Sequence, residues 1–185
     1  ILVDALGLAE FSRQVEDAWQ PIRGGEVEVS AEEAARISAM FAPKALSAVG
    51  SASDNLLAAD RAADASFAAW CDANTHAHRT QGYRSVTVSL KPTGGIPGDA
   101  SADQMDQIAA LADQYAGGEI VVTHRQNLVF PTVRVDALQA LWRALGDIGL
   151  EAGNVGKLGD IIACPGLDYC VLANARSIPL AQEIS

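Results

Sequence analysis

From Gly82 the chain alternates apolar and hydroxyl side chains, with Val86, Val88 and Leu90 set against Thr87 and Ser89. That period of two predicts a half-buried strand. The glycine-bearing loop at 92–99 lacks the lysine-serine ending of a phosphate-binding loop and reads as a plain surface connection. Ser101 then starts a helix with Gln104 at the capping-box position; Met105, Ile108, Ala112 and Tyr115 form its apolar stripe, and Gly117-Gly118 end it. Strands are expected over 119–123 and 127–133, with Pro131 arguing against a central place for the second. A helix over 135–147 carries Leu138, Leu141, Trp142, Leu145 and Ile148 on one side. After a glycine-bearing segment at 149–159, residues 160–163 read as a last strand. The order β-α-β-β-α-β is the ferredoxin-like arrangement, an α+β fold with two helices on one face of an antiparallel sheet. The other face is left to bury something else.

The first 80 residues follow the helical period instead. Leu8, Phe11, Val15, Trp19 and Ile22 recur at spacings of three and four, predicting an amphipathic helix over 1–22 whose stripe is core, ended by Pro21 and Gly24-Gly25. Residues 26–64 are punctuated by Pro43 and Gly50-Ser51. A short helix is expected from Ala31 to Met40, with Ser30 as N-cap and Glu33 completing a capping box. A second helical stretch runs from Asn55 to about Ala73, with Phe67, Trp70 and Cys71 packed. The region as a whole reads as a helical segment or linker arm over 1–80.

Composition sharpens this picture at three points. Nearly half of the 185 residues are apolar but only 5% are aromatic, so alanine-rich helices and a modest core are expected. A formal net charge of −10 disfavours nucleic acid and anionic lipid surfaces as partners. No apolar run is long enough to cross a membrane. The opening Ile1-Leu2-Val3 has no basic leader or cleavage site, and so does not read as a signal peptide. It has no initiator methionine either, which suggests a piece of a longer protein, cytoplasmic in character.

Three cysteines give an odd count, so no disulfide framework is implied. A nucleophilic role for Cys71 would need a neighbouring base, for which His76 and His78 are close in sequence, whereas the usual zinc spacings are absent. Cys164 and Cys170 flank a tight turn at Pro165-Gly166. On spacing alone they are either buried, unreactive thiols or two ligands converging on one metal object. The turn precedes an expected helix, whose free N–H groups would favour thiolate. Upstream, Arg125, Gln126 and Asn127 sit at a strand-to-strand corner. Corners of this kind are commonly just solvated, yet these side chains can also converge as donors on an anionic group.

Thr123-His124-Arg125-Gln126-Asn127, followed by Ala163-Cys164-Pro165-Gly166-Leu167-Asp168-Tyr169-Cys170, resembles the sirohaem-dependent sulfite/nitrite reductases. In that family a T-x-x-Q-N corner precedes C-x5-C, the first half of a four-cysteine cluster site. The resemblance runs from about residue 80 to 185, taking in the strand from Gly82 to Pro92. It implies a ferredoxin-like half-domain over 81–163 and the start of a sirohaem/[4Fe–4S] domain at 164–185. It implies that Arg125, Gln126 and Asn127 bind sirohaem and that Cys164 and Cys170 are cluster ligands. The remaining C-x3-C pair lies outside this sequence, and Lys91 and Lys157 match no substrate motif of the family. The implied reaction is six-electron reduction of sulfite to sulfide or nitrite to ammonia. Its partners would be the small oxyanion and an electron donor protein or flavoprotein subunit. The chain alone would be inactive and without its cofactors, with an exposed face able to drive homodimerisation. The competing reading is a stand-alone ferredoxin-like module that binds a ligand or dimerises, with structural cysteines.

Overall fold

The structure is a computed structural model describing residues 1–25, 27–42, 45–47, 49–50 and 52–185. Pro43 and Ser51, expected to punctuate the helices, lie outside the described residues. Two compact units are formed, Ile1–Ala45 and Leu46–Ser185.

In the first unit the expected single helix is two: α1 (Leu2–Leu6) and α2 (Leu8–Trp19). The break is Gly7, whose φ of 78° lies in the left-handed region that glycine occupies without a Cβ clash. Gly7 N–H closes α1 on Val3 O, and Gly7 O accepts from Phe11 N–H to open α2. The apolar stripe is not core as expected. Leu8, Val15, Trp19 and Ile22 are all exposed, and Phe11 is half-buried. An amphipathic period fixes which face is apolar, not whether anything covers it. Helix α3 (Ala31–Met40) is capped by Ser30, whose hydroxyl accepts from Glu33 N–H at 3.1 Å. Only half of the expected capping box forms, because the Glu33 carboxylate turns to Arg36 instead, at 2.6 and 2.7 Å.

The second unit opens with α4 (Ala52–Ala63) and α5 (Ala65–Asn74). The expected continuous helix is divided by Asp64, an extended residue whose carboxylate accepts from Ser66 and Phe67 N–H. This N-cap lets α5 turn Phe67, Trp70 and Cys71 into the core. Strand β1 (Thr75–Ala77) follows, then β2 (Tyr83–Ser89), α6 (Ala102–Tyr115), β3 (Val121–Val122), β4 (Asn127–Arg134) and α7 (Leu138–Asp147). The Ser101–Gln104 capping box of α6 is present in both directions. Ile108 and Ala112 of α6 are buried, whereas Met105 of the expected stripe is exposed.

The sheet order is β1-β2-β4-β3, antiparallel throughout. Its fourth strand is β1, three residues that sequence periodicity is too short to reveal. Residues 160–163, expected to supply the last strand, join no strand ladder. Proline does not exclude β4 from the centre. The β2–β4 ladder shifts register between Arg84 and Val86, so Pro131 and Thr132 sit at a bulge. On the other side, β3 reaches only Val129 and Leu128. Pro131 therefore falls where no ladder bond needs its missing N–H.

One sheet face carries Val86, Val88, Leu128 and Phe130 into a core with Phe67, Trp70, Ile108, Leu138, Leu141 and Leu145. Phe67 is its aromatic hub, with ring centroids 6.0 Å from Trp70 and 5.5 Å from Trp142. The α+β class is as expected, with a helical N-terminal segment before a sheet covered on one face. The Asp64 cap holds the turn that feeds this core. Asp64→Ala should cost about 1 kcal/mol, read as a lowered urea midpoint with an unchanged denaturant slope.

Candidate functional site

Alternation places Thr87, Ser89 and Lys91 on the sheet face opposite the core. Hydroxyls there are tolerable, but an ammonium is not unless it is paired. Lys91 is 2% exposed and lies 2.5 Å from Asp160 Oδ1, whose side chain is 3% exposed. Its Nζ also donates to Asp160 O at 3.3 Å. Asp160 receives two further bonds, from Asn127 Nδ2 at 2.9 Å and from Gly156 N–H at 2.9 Å. Burial pushes the Asp160 carboxyl up. The Gly156 N–H, the Lys91 ammonium and the Asn127 amide together outweigh that, so its pKa lies below the ordinary carboxylate value. Nearby, Asn154 donates to Lys91 O at 2.8 Å, and Asn74 donates to both Thr87 O and Ala152 O. Segment 150–160 is thereby fastened over one end of the polar face.

The corner between β3 and β4 is organised by Thr123. Its hydroxyl donates to Asn127 O at 2.9 Å and accepts from Arg125 and Asn127 N–H. Gln126 takes a φ of 56°, the one non-glycine residue in the left-handed region among those described. That backbone turns its side chain toward residue 163. Gln126 Nε2 donates to Ala163 O at 2.8 Å, and Ala163 N–H donates to Gln126 Oε1 at 3.1 Å. Asn127 is buried, its Oδ1 accepting from Leu90 N–H at 3.3 Å. Arg125 and His124 are exposed.

Cys164 follows Ala163 directly and is exposed; Cys170 is half-buried. Between them Gly166–Asp168 form one 3₁₀ turn rather than the start of the expected α-helix. The next α-helix is α8 (Ile178–Ile184). The helix-terminus argument for a thiolate therefore does not hold here. What the Cys164 sulfur does receive is the Gly166 N–H, at 3.5 Å. Gly166 has a φ of 59°, and a Cβ there would meet Ala175 O at 2.7 Å and Ser177 Oγ at 2.8 Å. The loop is closed by Leu167 N–H on Ala175 O and by Ser177 Oγ–H on Cys164 O.

Two clefts flank the corner. One, of about 600 Å³, opens on the polar sheet face and is lined by residues that include His76, Thr87, Thr123, His124, Arg125 and Asn127. The other, of about 330 Å³, is lined by Gln126, Ala163, Pro165 and Tyr169 together with the 96–99 loop and Ile178. That loop is more than the surface connection expected. Gly98 N–H binds Leu90 O at 2.8 Å, and α8 reaches the loop through Gln182 Nε2 on Gly94 O at 3.0 Å. Of the other candidates, Cys71 is buried, and burial pushes its thiol pKa up. His76 is exposed on β1, while His78 Nδ1 accepts from Thr80 N–H. Lys157 is exposed, its Nζ on Gly153 O at 2.6 Å. Among the described residues no three histidine, cysteine or acidic side chains come together as a metal site.

The stretch containing β1, β2, α6, β3, β4 and α7 has counterparts among known proteins. Residues 76–148 match the family described as the nitrite/sulfite reductase ferredoxin-like half domain. This part of the chain is similar to such half domains. The chloroplastic ferredoxin–nitrite reductase of Betula pendula is 30% identical over 117 residues, 59% of this chain and 19% of that protein. That of Zea mays is 32% identical over 115 residues, again 59% and 19%. An uncharacterised protein of Methanocaldococcus jannaschii is 28% identical over 101 residues, 54% of this chain and 34% of its own length. The aligned part thus spans about a fifth of the plant relatives.

The Lys91–Asp160 pair was not expected from the sequence, where Lys91 matched no motif. The signal was Lys91 falling two residues beyond Ser89, in phase with the polar face. Asp160→Ala should cost about 3–5 kcal/mol by leaving a buried ammonium uncompensated, measured by chemical denaturation. Its pH dependence has a definite sign. The folded carboxyl ionises below the unfolded value of about 3.9, so the unfolded chain binds more protons in between. Its contribution is intact above about pH 4 and is lost as pH falls through the folded pKa. Asp160→Asn should remove that part of the acid dependence.

Proposed function

We propose that this chain is the part of a nitrite or sulfite reductase in which one half domain brings a sirohaem-facing corner and two cluster thiolates together. The observation that carries the reading is the double hydrogen bond from Gln126 to Ala163, which joins the corner to the residue before Cys164. Arg125, Gln126 and Asn127 each line one of the two clefts beside the corner. The exposed Arg125 guanidinium suits a bidentate contact with a sirohaem carboxylate. Gln126 and Asn127 offer lining whose amides are already engaged. Cys164 and Cys170 are free thiols on one closed loop, suited to be two of the four thiolates of a [4Fe–4S] cluster.

When bound, the coupled sirohaem and cluster supply the electrons for six-electron reduction of nitrite to ammonia or sulfite to sulfide. The names of the plant relatives favour nitrite as the oxyanion and ferredoxin as the donor, with a flavoprotein subunit as the other donor class. Two thiolates of four leave the 185-residue chain inactive and unable to hold the cluster by itself. Its three free thiols suit a reducing, cytoplasmic compartment. The exposed stripe of α2 gives a second copy of the chain an apolar face to pair with.

The test is spectroscopic. The longer parent protein, expressed with iron and sirohaem in supply, should show sirohaem and cluster absorption. Cys164→Ser and Cys170→Ser in that parent should each abolish the cluster signal, while the 185-residue chain should not turn over nitrite or sulfite with a reduced donor. A colourless parent that binds a metabolite instead would replace this reading with a ligand-binding module.

A further inference from the structure

Two consecutive corner residues grip the same short stretch of chain. Asn127 donates to Asp160 Oδ1, and Gln126 brackets the Ala163 peptide, donating to its oxygen and accepting from its nitrogen. Cys164 comes next. Gly98 backs Gln126 from the other side: a Cβ on Gly98 would lie 2.7 Å from Gln126 Cβ. Gly98 is itself tied to Leu90 O, so Gln126 is held between a fixed loop and the residue it grips.

A side-chain amide that spends its donor and its acceptor on one residue's peptide groups fixes both the position and the orientation of that residue. The left-handed backbone at Gln126 is a strained choice for such a residue, and glycine would make the same turn with less strain. The side chain, not the turn, therefore accounts for glutamine here. From this geometry we infer that Gln126 and Asn127 are positioning residues for Cys164. They fix the backbone that enters the cysteine loop, and so set where the exposed sulfur stands. The inference rests on the proposed function only for what that sulfur binds; the clamp is a property of this chain alone.

Hydrogen exchange and thiol labelling of the 185-residue chain test it without any cofactor. In the wild-type chain the Ala163 amide should exchange more slowly than that of Ile162, which has no partner among the described hydrogen bonds. Gln126→Ala should speed Ala163 exchange roughly tenfold. Alkylation of Cys164 should rise with it, while Cys71 and the β2–β4 amides stay as they were. Gly98→Ala, whose Cβ would crowd the Gln126 side chain from its Cβ to its amide carbon, should loosen the same stretch. Gln126→Glu, keeping the acceptor but not the donor, should fall between wild type and Gln126→Ala. Three results would overturn the inference: wild-type Ala163 exchanging as fast as Ile162, variants indistinguishable from wild type, or variants that unfold the whole sheet. The last would make Gln126 a residue of the fold at large. Loss of colour in the parent would sink the cofactor reading and leave the clamp standing; fast exchange at Ala163 beside a coloured parent would sink the clamp and leave the cofactor reading on its spectroscopy alone.

Discussion

An ammonium that is 2% exposed must find its counter-ion inside the protein, and Lys91 finds it in Asp160, 69 residues away. That requirement organises the polar side of the sheet. Asp160 cannot stay beside Lys91 unless segment 150–160 lies across the strand ends, and the Gly156 and Asn127 donors join Lys91 in lowering its pKa there. Asn127 in turn begins β4 and belongs to the corner. A single buried pair thus fixes the approach of the chain toward Cys164. Replacing such a pair by apolar residues can be neutral for stability, whereas removing one partner is not. Its specific value here is positional: Lys91, Asp160 and Asn127 have one mutually satisfied arrangement.

Much of the fold was legible because its long elements carry unbroken periods. The stripes of α6 and α7 and the alternation of β2 are local statements, and Ser101–Gln104 is a local cap. The misses have a common physical origin in events too short or too distant for a period to register. Thr75–Ala77 is three residues, and only its pairing with Val86, Ser85 and Arg84 makes it a strand. Asp64 interrupts an alanine-rich run that has helical propensity on both sides. Pro131 was a correct signal of a missing ladder bond, but a bulge satisfies that signal as well as a sheet edge does.

At the candidate site, residue types were legible and their partners were not. The sequence places Gln126 and Asn127 at a corner, where either solvent or a bound group could have taken their amides. In the structure the chain itself takes them, through Ala163 and Asp160. Nothing local in the sequence announces a contact across 37 residues. The turn at Pro165-Gly166 was readable from composition, yet the helix expected after it is only a 3₁₀ turn. The loop returns instead through Gly166 onto Ala175 and Ser177.

The cysteine loop differs from the rest of its unit in how its surface is used. Tyr169, Val171 and Leu172, beside Cys170, are 76%, 99% and 91% exposed. Single exposed apolar residues need no explanation, but three within four positions next to two free thiols form a concentrated patch. A cluster ligand must be both coordinated and shielded, since hydrogen bonding to the sulfurs and solvent access set the potential. Here side-chain amides hold the backbone that enters the loop, while the Cys164 sulfur stands exposed. Firm positioning joined to incomplete enclosure is what the proposed half-site would require. Packing tight enough to enclose the sulfurs within this chain would leave no room for the two further thiolates that a four-thiolate cluster needs.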